Sequence, residues 1–258
     1  MKITALTENT SSSDLFEAEH GLSLYIETEQ DRILFDTGQS EMFERNAKRC
    51  GIDLSQVDFA VLSHGHYDHG GGLKRFFKIN KNAPVYLSRY AFKEYYNGSE
   101  KYIGLDISLK NEDRLIYVTD CCEIKEGVTL LSCNNHKKTI DLGSFGLNMR
   151  EDGVLKPDDF RHEQYLLIEE NGKRVLFSGC SHKGILNIAS WFSPDVLIGG
   201  FHFSKLPLDD TLSGYAEELN RYDTDFYTCH CTGAEQYEWM KQRMKRLSYL
   251  STGQSIII

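Results

Sequence analysis

Apolar and polar residues alternate in short runs near the amino terminus, then settle into repeated strand–helix units. Ile3–Leu6 predicts a strand, and Leu22–Thr28 and Arg32–Asp36 predict the arms of a hairpin turning at Glu29-Gln30-Asp31. Ser40–Cys50 has a helical pattern stopped by Gly51. The apolar run within Asp58–Ser63 predicts a buried strand leading straight into His64. A short helix over Leu73–Ile79, a strand over Val85–Leu87 and a helix near Tyr90–Tyr96 are expected next.

The second half mixes the same units. Leu115–Val118 and Val128–Ser132 predict strands, and residues 134–161, rich in Asn, Gly and Asp, predict a long loop of the kind that covers substrates. Tyr165–Glu169 and Arg174–Ser178 flank Asn171-Gly172, a strong hairpin signal. Ile185, Ile188, Ala189 and Phe192 mark one helical face, and Val196–Ile198, Thr211–Tyr222 and Asp225–Thr228 read as strand, helix and strand. Ala234, Tyr237, Met240, Met244 and Leu247 predict another helix before a closing strand at Ser255–Ile258. Early hairpins followed by strand–helix alternation predict an α/β (α+β) fold of two sheets covered by helices, in one domain spanning 1–258.

Composition narrows what such a fold serves. With 40% hydrophobic and 26% charged residues over 258 positions, the chain has ample material for a core. Lys and Arg number 29 against 38 Asp and Glu, and the formal charge of -9 argues against a general nucleic-acid or anionic-membrane binder. No stretch approaches the roughly 20 apolar residues of a membrane span. The opening residues lack the apolar region of a secretory signal. Seven cysteines, an odd number without framework spacing, predict reduced thiols and a cytoplasmic location.

The chemistry concentrates in Ser63-His64-Gly65-His66-Tyr67-Asp68-His69-Gly70-Gly71-Gly72. Neutral imidazoles and a carboxylate are the ligands borderline divalent ions prefer. Alternation at a strand end sends His64 and His66 to one side, and a turn can aim Asp68 and His69 at a second ion. No phosphate-binding loop, nucleophile elbow or H-E-x-x-H helix competes with this reading.

His64, His66, Asp68 and His69 complete an H-x-H-x-D-H run that resembles the signature of the metallo-β-lactamase superfamily. Leu34-Phe35-Asp36-Thr37-Gly38 and Tyr227-Thr228-Cys229-His230-Cys231-Thr232-Gly233 are similar to two further family segments. Ser178–Ile185, Gly199-Gly200-Phe201-His202 and His230–Gly233 resemble the branch containing the dihydropterin-ribofuranosylaminobenzene phosphate synthases and related metal-dependent hydrolases. The resemblance implies a four-layer αββα sandwich of two mixed sheets, with two divalent ions at one edge. Zinc is the first expectation, with manganese and iron as alternatives.

It also implies roles. His64, His66 and His182 are expected to hold one ion, and Asp68, His69 and His230 the other. Asp68 would also orient the attacking water, and Asp36 would steady a ligand histidine. Where most superfamily hydrolases place Gly-Asp, this chain has Gly179-Cys180, so Cys180 either ligates a metal or lines the site. His182 is preferred over His162 as the third ligand of the first ion. Cys229 and Cys231 are expected to be small buried residues, and His20 and His136 carry no supporting context.

The function so implied is hydrolysis of a small anionic metabolite, phosphorylated or pterin-like, by metal-activated hydroxide. His202, Arg150, Arg161 and Phe145 are the substrate-side residues this reading nominates. Two alternatives remain open: a metal-binding sensor or scaffold without turnover, and a di-iron redox enzyme. Flavodiiron members carry glutamate where this chain has His66, which counts against the second.

Overall fold

In the computed structural model, which describes residues 1–258, the early alternating segments form an antiparallel meander. Strands β1 (Lys2–Thr7), β2 (Ser23–Glu27) and β3 (Arg32–Phe35) pair in chain order. The sheet then turns parallel. Helix α1 (Met42–Arg49) returns the chain to β4 (Phe59–Val61), and α2 (Tyr67–Gly70) and α3 (Leu73–Ile79) return it to β5 (Val85–Ser88). Strands β6 (Glu94–Asn97) and β7 (Lys101–Tyr102) leave this sheet, and β8 (Leu115–Val118) rejoins it beside β5.

A second sheet begins with β9 (Cys121–Lys125) and β10 (Val128–Leu131). After an excursion through β11 (Leu147–Glu151) and β12 (Val154–Pro157), β13 (Tyr165–Glu170) and β14 (Lys173–Ser178) continue it. Helices α4 (Ile185–Phe192) and α5 (Asp210–Leu219) connect β14 to its parallel neighbours β15 (Val196–Gly199) and β16 (Asp225–Thr228). Helix α6 (Ala234–Lys241) leads to β17 (Leu247–Tyr249), and β18 (Ser255–Ile257) crosses back to pair with β1.

Two seven-stranded mixed sheets result, ordered β18-β1-β2-β3-β4-β5-β8 and β17-β16-β15-β14-β13-β10-β9. Their strands read as unbroken apolar runs because both faces are covered. In β3, Ile33 and Phe35 face the opposite sheet while Leu34 faces the helices beside Phe43 and Phe76. Across the sandwich Phe35 meets Phe177 at 5.8 Å, and Ile185, Leu212 and Met240 cover the outer face of the second sheet. Truncating a fully buried ring such as Phe35 to alanine costs about 3–5 kcal/mol.

Three expectations are corrected. Residues near Tyr90–Tyr96 do not form a helix: after a turn, β6 pairs antiparallel with β11, and Tyr95 lies opposite Met149 in a small buried cluster. The segment 134–161 is not all loop. It contains the β11–β12 hairpin, turning at Asp152-Gly153 with φ of 52° and 79°, the left-handed pair a two-residue turn demands. These strands form a third, four-stranded sheet, β12-β11-β6-β7. The last helix stops at Lys241, and Leu247 belongs to a strand, since its register partner Phe226 draws it into the second sheet.

Candidate metal centre

Parallel pairing decides where the chemistry lies. Strands β1, β3 and β4 run in one direction, as do β14, β15 and β16, so their carboxyl ends meet at one edge of the sandwich. Ligand sites in open α/β sheets form outside such strand ends. From these ends come Asn9, Asp36, the His64–His69 run, Cys180 and His182, His202 and His230. The opposite end, with its hairpin turns at Glu29–Asp31 and Asn171, has the larger surface hollow but none of these donors.

Asp36 organises the interior of the site. It sits at φ 60°, and its Oδ1 accepts the Ser63 N–H at 2.7 Å. Its Oδ2 accepts from Ser63 Oγ and from His69 Nδ1, each at 2.7 Å. The proton of His69 is therefore on Nδ1, and Nε2 presents a bare lone pair. Since Ser63 Oγ gives its proton to Asp36, its oxygen accepts from His64 Nδ1 at 2.8 Å, which leaves His64 Nε2 bare as well. The close approach of β14 depends on Gly179, where a Cβ would overlap the Ser63 side chain.

His230 is held the same way. Its Nδ1 donates to Asn9 Oδ1 at 2.8 Å, and Glu8 Oε2 accepts its backbone N–H at 3.0 Å. Its bare Nε2 stands 3.2 Å from the bare Nε2 of His69 and 3.5 Å from Asp68 Oδ2. His69 Nε2 is also 3.1 Å from Cys180 Sγ and 3.8 Å from Asp68 Oδ2. Donors sharing one zinc ion at bonds of 2.0–2.3 Å lie about 3.3–3.8 Å apart, and the four separations here run from 3.1 to 3.8 Å.

His64, His66 and His182 form the neighbouring set, with donor atoms all within 4.8 Å of one another. The Nε2 atoms of His64 and His66 are buried without any hydrogen-bond partner. Such orphaned nitrogens are costly unless a ligand satisfies them, so the residues fit a bound cation. Burial, followed by the charge on neighbouring imidazoles, pushes the pKa of His64 well below its ordinary value. Burial likewise lowers His66, and it brings His182 to about 3. Burial alone would raise Asp68, but its contacts with the imidazoles of His69, His20 and His230 outweigh it and hold the carboxylate ionised. Three neutral imidazoles beside a carboxylate are the protonation states a divalent ion needs.

His162 has no nitrogen to spare. Its Nδ1 accepts the Gly65 N–H at 2.8 Å, Nε2 donates to Asp158 at 3.1 Å, and its ring stacks on Tyr95. His182 sits just after Ser181, at φ 59°, and stacks on Phe160. Glu163 fixes this turn: its carboxylate accepts the backbone N–H groups of His182 and Lys183 at 2.7 and 3.0 Å and the Tyr165 hydroxyl at 2.8 Å.

A cleft of about 140 Å³ opens over both sets. His66, Asp68, Cys180, His182, His202 and His230 line it, while Asn97, Lys101, Ile103 and Leu147 bring the small third sheet to its side. Phe145 packs at 4.4 Å from His202, which in turn lies 4.5 Å from His182. Arg150 and Arg161 are elsewhere. Arg150 lies on the outer face of β11 beside Glu94 and the Tyr96 ring, and Arg161 is engaged by Asp159 and Glu151. The cations that do reach the cleft are Lys101 and Lys205.

Sequence reasoning also passed over His20, whose Nε2 is 3.1 Å from Asp68 Oδ2, and Cys231, which lines the cleft. Cys231 carried a legible signal in its position beside His230; His20 carried none. His136 sits away from the cleft, near Trp191.

A four-layer sandwich with clustered imidazoles, carboxylate and thiol at one edge has a known counterpart. Residues 17–217 match the metallo-beta-lactamase superfamily, and the chain belongs to it. It is 30% identical to the uncharacterized protein MJ0448 of Methanocaldococcus jannaschii, over 90% of each chain. It is 28% identical to the 7,8-dihydropterin-6-methyl-4-(beta-D-ribofuranosyl)-aminobenzene-5'-phosphate synthase of the same organism, over 95% of this chain and 92% of that protein. The crystal structure of Tm1679, a metal-dependent hydrolase of the beta-lactamase superfamily, superposes with a TM-score of 0.85 at 30% identity, covering 100% of this chain and 99% of that one. No helix is long and apolar enough to cross a membrane.

Proposed function

We propose that this protein is a metal-dependent hydrolase of a small anionic metabolite, with two divalent ions, zinc in first place, as its cofactors. The observation that carries the reading is the approach of His69 Nε2 to His230 Nε2 at 3.2 Å, with the Nδ1 atom of each ring already engaged by Asp36 and Asn9. Two lone pairs so close repel unless a cation lies between them.

His64, His66 and His182 would hold one ion, and Asp68, His69, His230 and Cys180 the other. When bound, such ions lower the pKa of a water and polarise a carbonyl or phosphoryl oxygen. The chain's own residues do the rest. Asp36 and Asn9 hold the protons of His69 and His230 on the nitrogens facing away from the cleft. Asp68, kept ionised, is the acceptor nearest the cleft for a proton of the attacking water. Lys101 and Lys205 draw an anionic group toward the opening, and His202 and Phe145 offer a ring-binding flank.

The substrate class rests on those two lysines; the synthase relative makes a phosphorylated pterin-like compound the first to try. The formal charge of -9 argues against long nucleic acids, and seven unpaired cysteines support a reducing compartment, the cytoplasm. The test is metal analysis of the purified protein, then a screen of phosphodiester, thioester, lactone and phosphorylated-pterin substrates against His66→Ala. Two ions and turnover that disappears in the variant support the reading. Bound metal without turnover assigns a sensing role, and iron with oxygen consumption assigns redox chemistry.

A further inference from the structure

Cys231 follows His230 in the tight turn after β16, and its side chain enters the cleft instead of the core. Its sulfur, Cys180 Sγ and a ring nitrogen of His230 form a donor set whose members all lie within 4.8 Å of one another. Space is kept for that sulfur by Gly200, where a Cβ would overlap Cys231 Sγ. The thiol's hydrogen bond to the Cys180 carbonyl is 3.5 Å long, a weak hold on a weak donor. Cys229, two residues earlier, is different: it is buried in the apolar layer between the sheets.

We propose that Cys231 is a metal ligand, its thiolate joining that of Cys180 on the ion held by Asp68, His69 and His230. The inference rests on the metal centre described under Proposed function and adds to it a second sulfur. Donors of one zinc ion lie about 3.3–3.8 Å apart, so a shift of about 1 Å closes the triad of Cys180, His230 and Cys231. Two thiolates make this position soft, favouring zinc or cadmium over manganese or magnesium. The three-imidazole position of His64, His66 and His182 keeps an open coordination place, as catalytic zinc sites do.

Cadmium titration of the reduced, chelator-treated full-length protein tests this, read by thiolate-to-cadmium ultraviolet absorbance alongside the count of bound ions. Cys180→Ser and Cys231→Ser are each expected to lose about half of the absorbance, and the double variant nearly all of it. A second measurement needs no variant. Zinc loading should slow alkylation of Cys180 and Cys231 by iodoacetamide at least tenfold while leaving exposed Cys121 unchanged, as read by peptide mass spectrometry. Full absorbance in Cys231→Ser, or Cys231 alkylation indifferent to zinc while zinc is bound, overturns the inference and leaves the metal centre standing. A wild-type protein that binds neither cadmium nor zinc overturns both.

Discussion

Asp36 accepts the Nδ1 proton of His69 at 2.7 Å, and through that one bond it decides which nitrogen of His69 faces the cleft. The same carboxylate collects two hydrogen bonds from Ser63, so it sets the loop and the tautomer together. Partners of this kind raise ligand basicity and are worth about 10–100-fold in metal affinity. Asp36→Asn is therefore expected to weaken zinc binding by about that factor, measured by competition with a chromophoric chelator. An unchanged affinity would show that His69 needs no such partner.

Metal removal should cost stability. An ion present at about 100 times its dissociation constant stabilises the fold by roughly 2.7 kcal/mol per site. Calorimetric scans with and without zinc should show a higher Tm in zinc. His64→Ala and His66→Ala should remove one site's share of the response, because their orphaned nitrogens are what that ion satisfies. A zinc-independent Tm in wild-type protein contradicts the prediction.

Acid should weaken one ion pair well away from the cleft. Glu44 on α1 meets Arg75 at 2.7 and 3.0 Å and Lys48 at 2.7 Å. The hydrogen bond from Arg75 is the largest influence on its carboxyl and, against the opposing effect of burial, brings it down to about 2. A carboxyl with a depressed folded pKa stabilises above its unfolded value and loses that contribution as pH falls through the folded one. Glu44→Gln should cost roughly 1 kcal/mol at pH 7, and the gap to wild type should close between about pH 5 and pH 2. Urea unfolding across that range checks it.

Substrate charge should be felt at Lys101 and Lys205. Reversing both is expected to raise KM for an anionic substrate about three- to tenfold, with kcat changed less and the effect shrinking in salt. Arg150→Glu and Arg161→Glu serve as controls, since neither residue lines the cleft. A KM change in either arginine variant equal to that of the reversed lysine pair would remove the lysines from substrate attraction.

What was legible in the sequence follows from how local each feature is. His64, His66, Asp68 and His69 lie within six positions after a strand, so one turn aims them all, and short-range pattern suffices to see it. Most strands and helices were readable for the same reason. The failures are long-range. Arg150 looked suited to an anion until the β11 register turned Leu147 and Met149 inward and left Arg150 outside. The helix expected near Tyr95 gives way because β11, more than fifty residues later, supplies a strand for it to pair with. Lys101 and Lys205 meet at the cleft only through the packing of distant segments, and no local pattern marks either.

The cleft draws on two separately built parts. Metal donors come from the ends of the large sheets, whereas Asn97, Lys101 and Leu147 arrive on or beside the strands of the small third sheet. The small sheet is assembled from two excursions of the chain, and its Tyr95 ring packs 5.6 Å from that of His66. The residues to compare among relatives when assigning a substrate are those the small sheet brings to the cleft, Asn97, Lys101, Ile103 and Leu147.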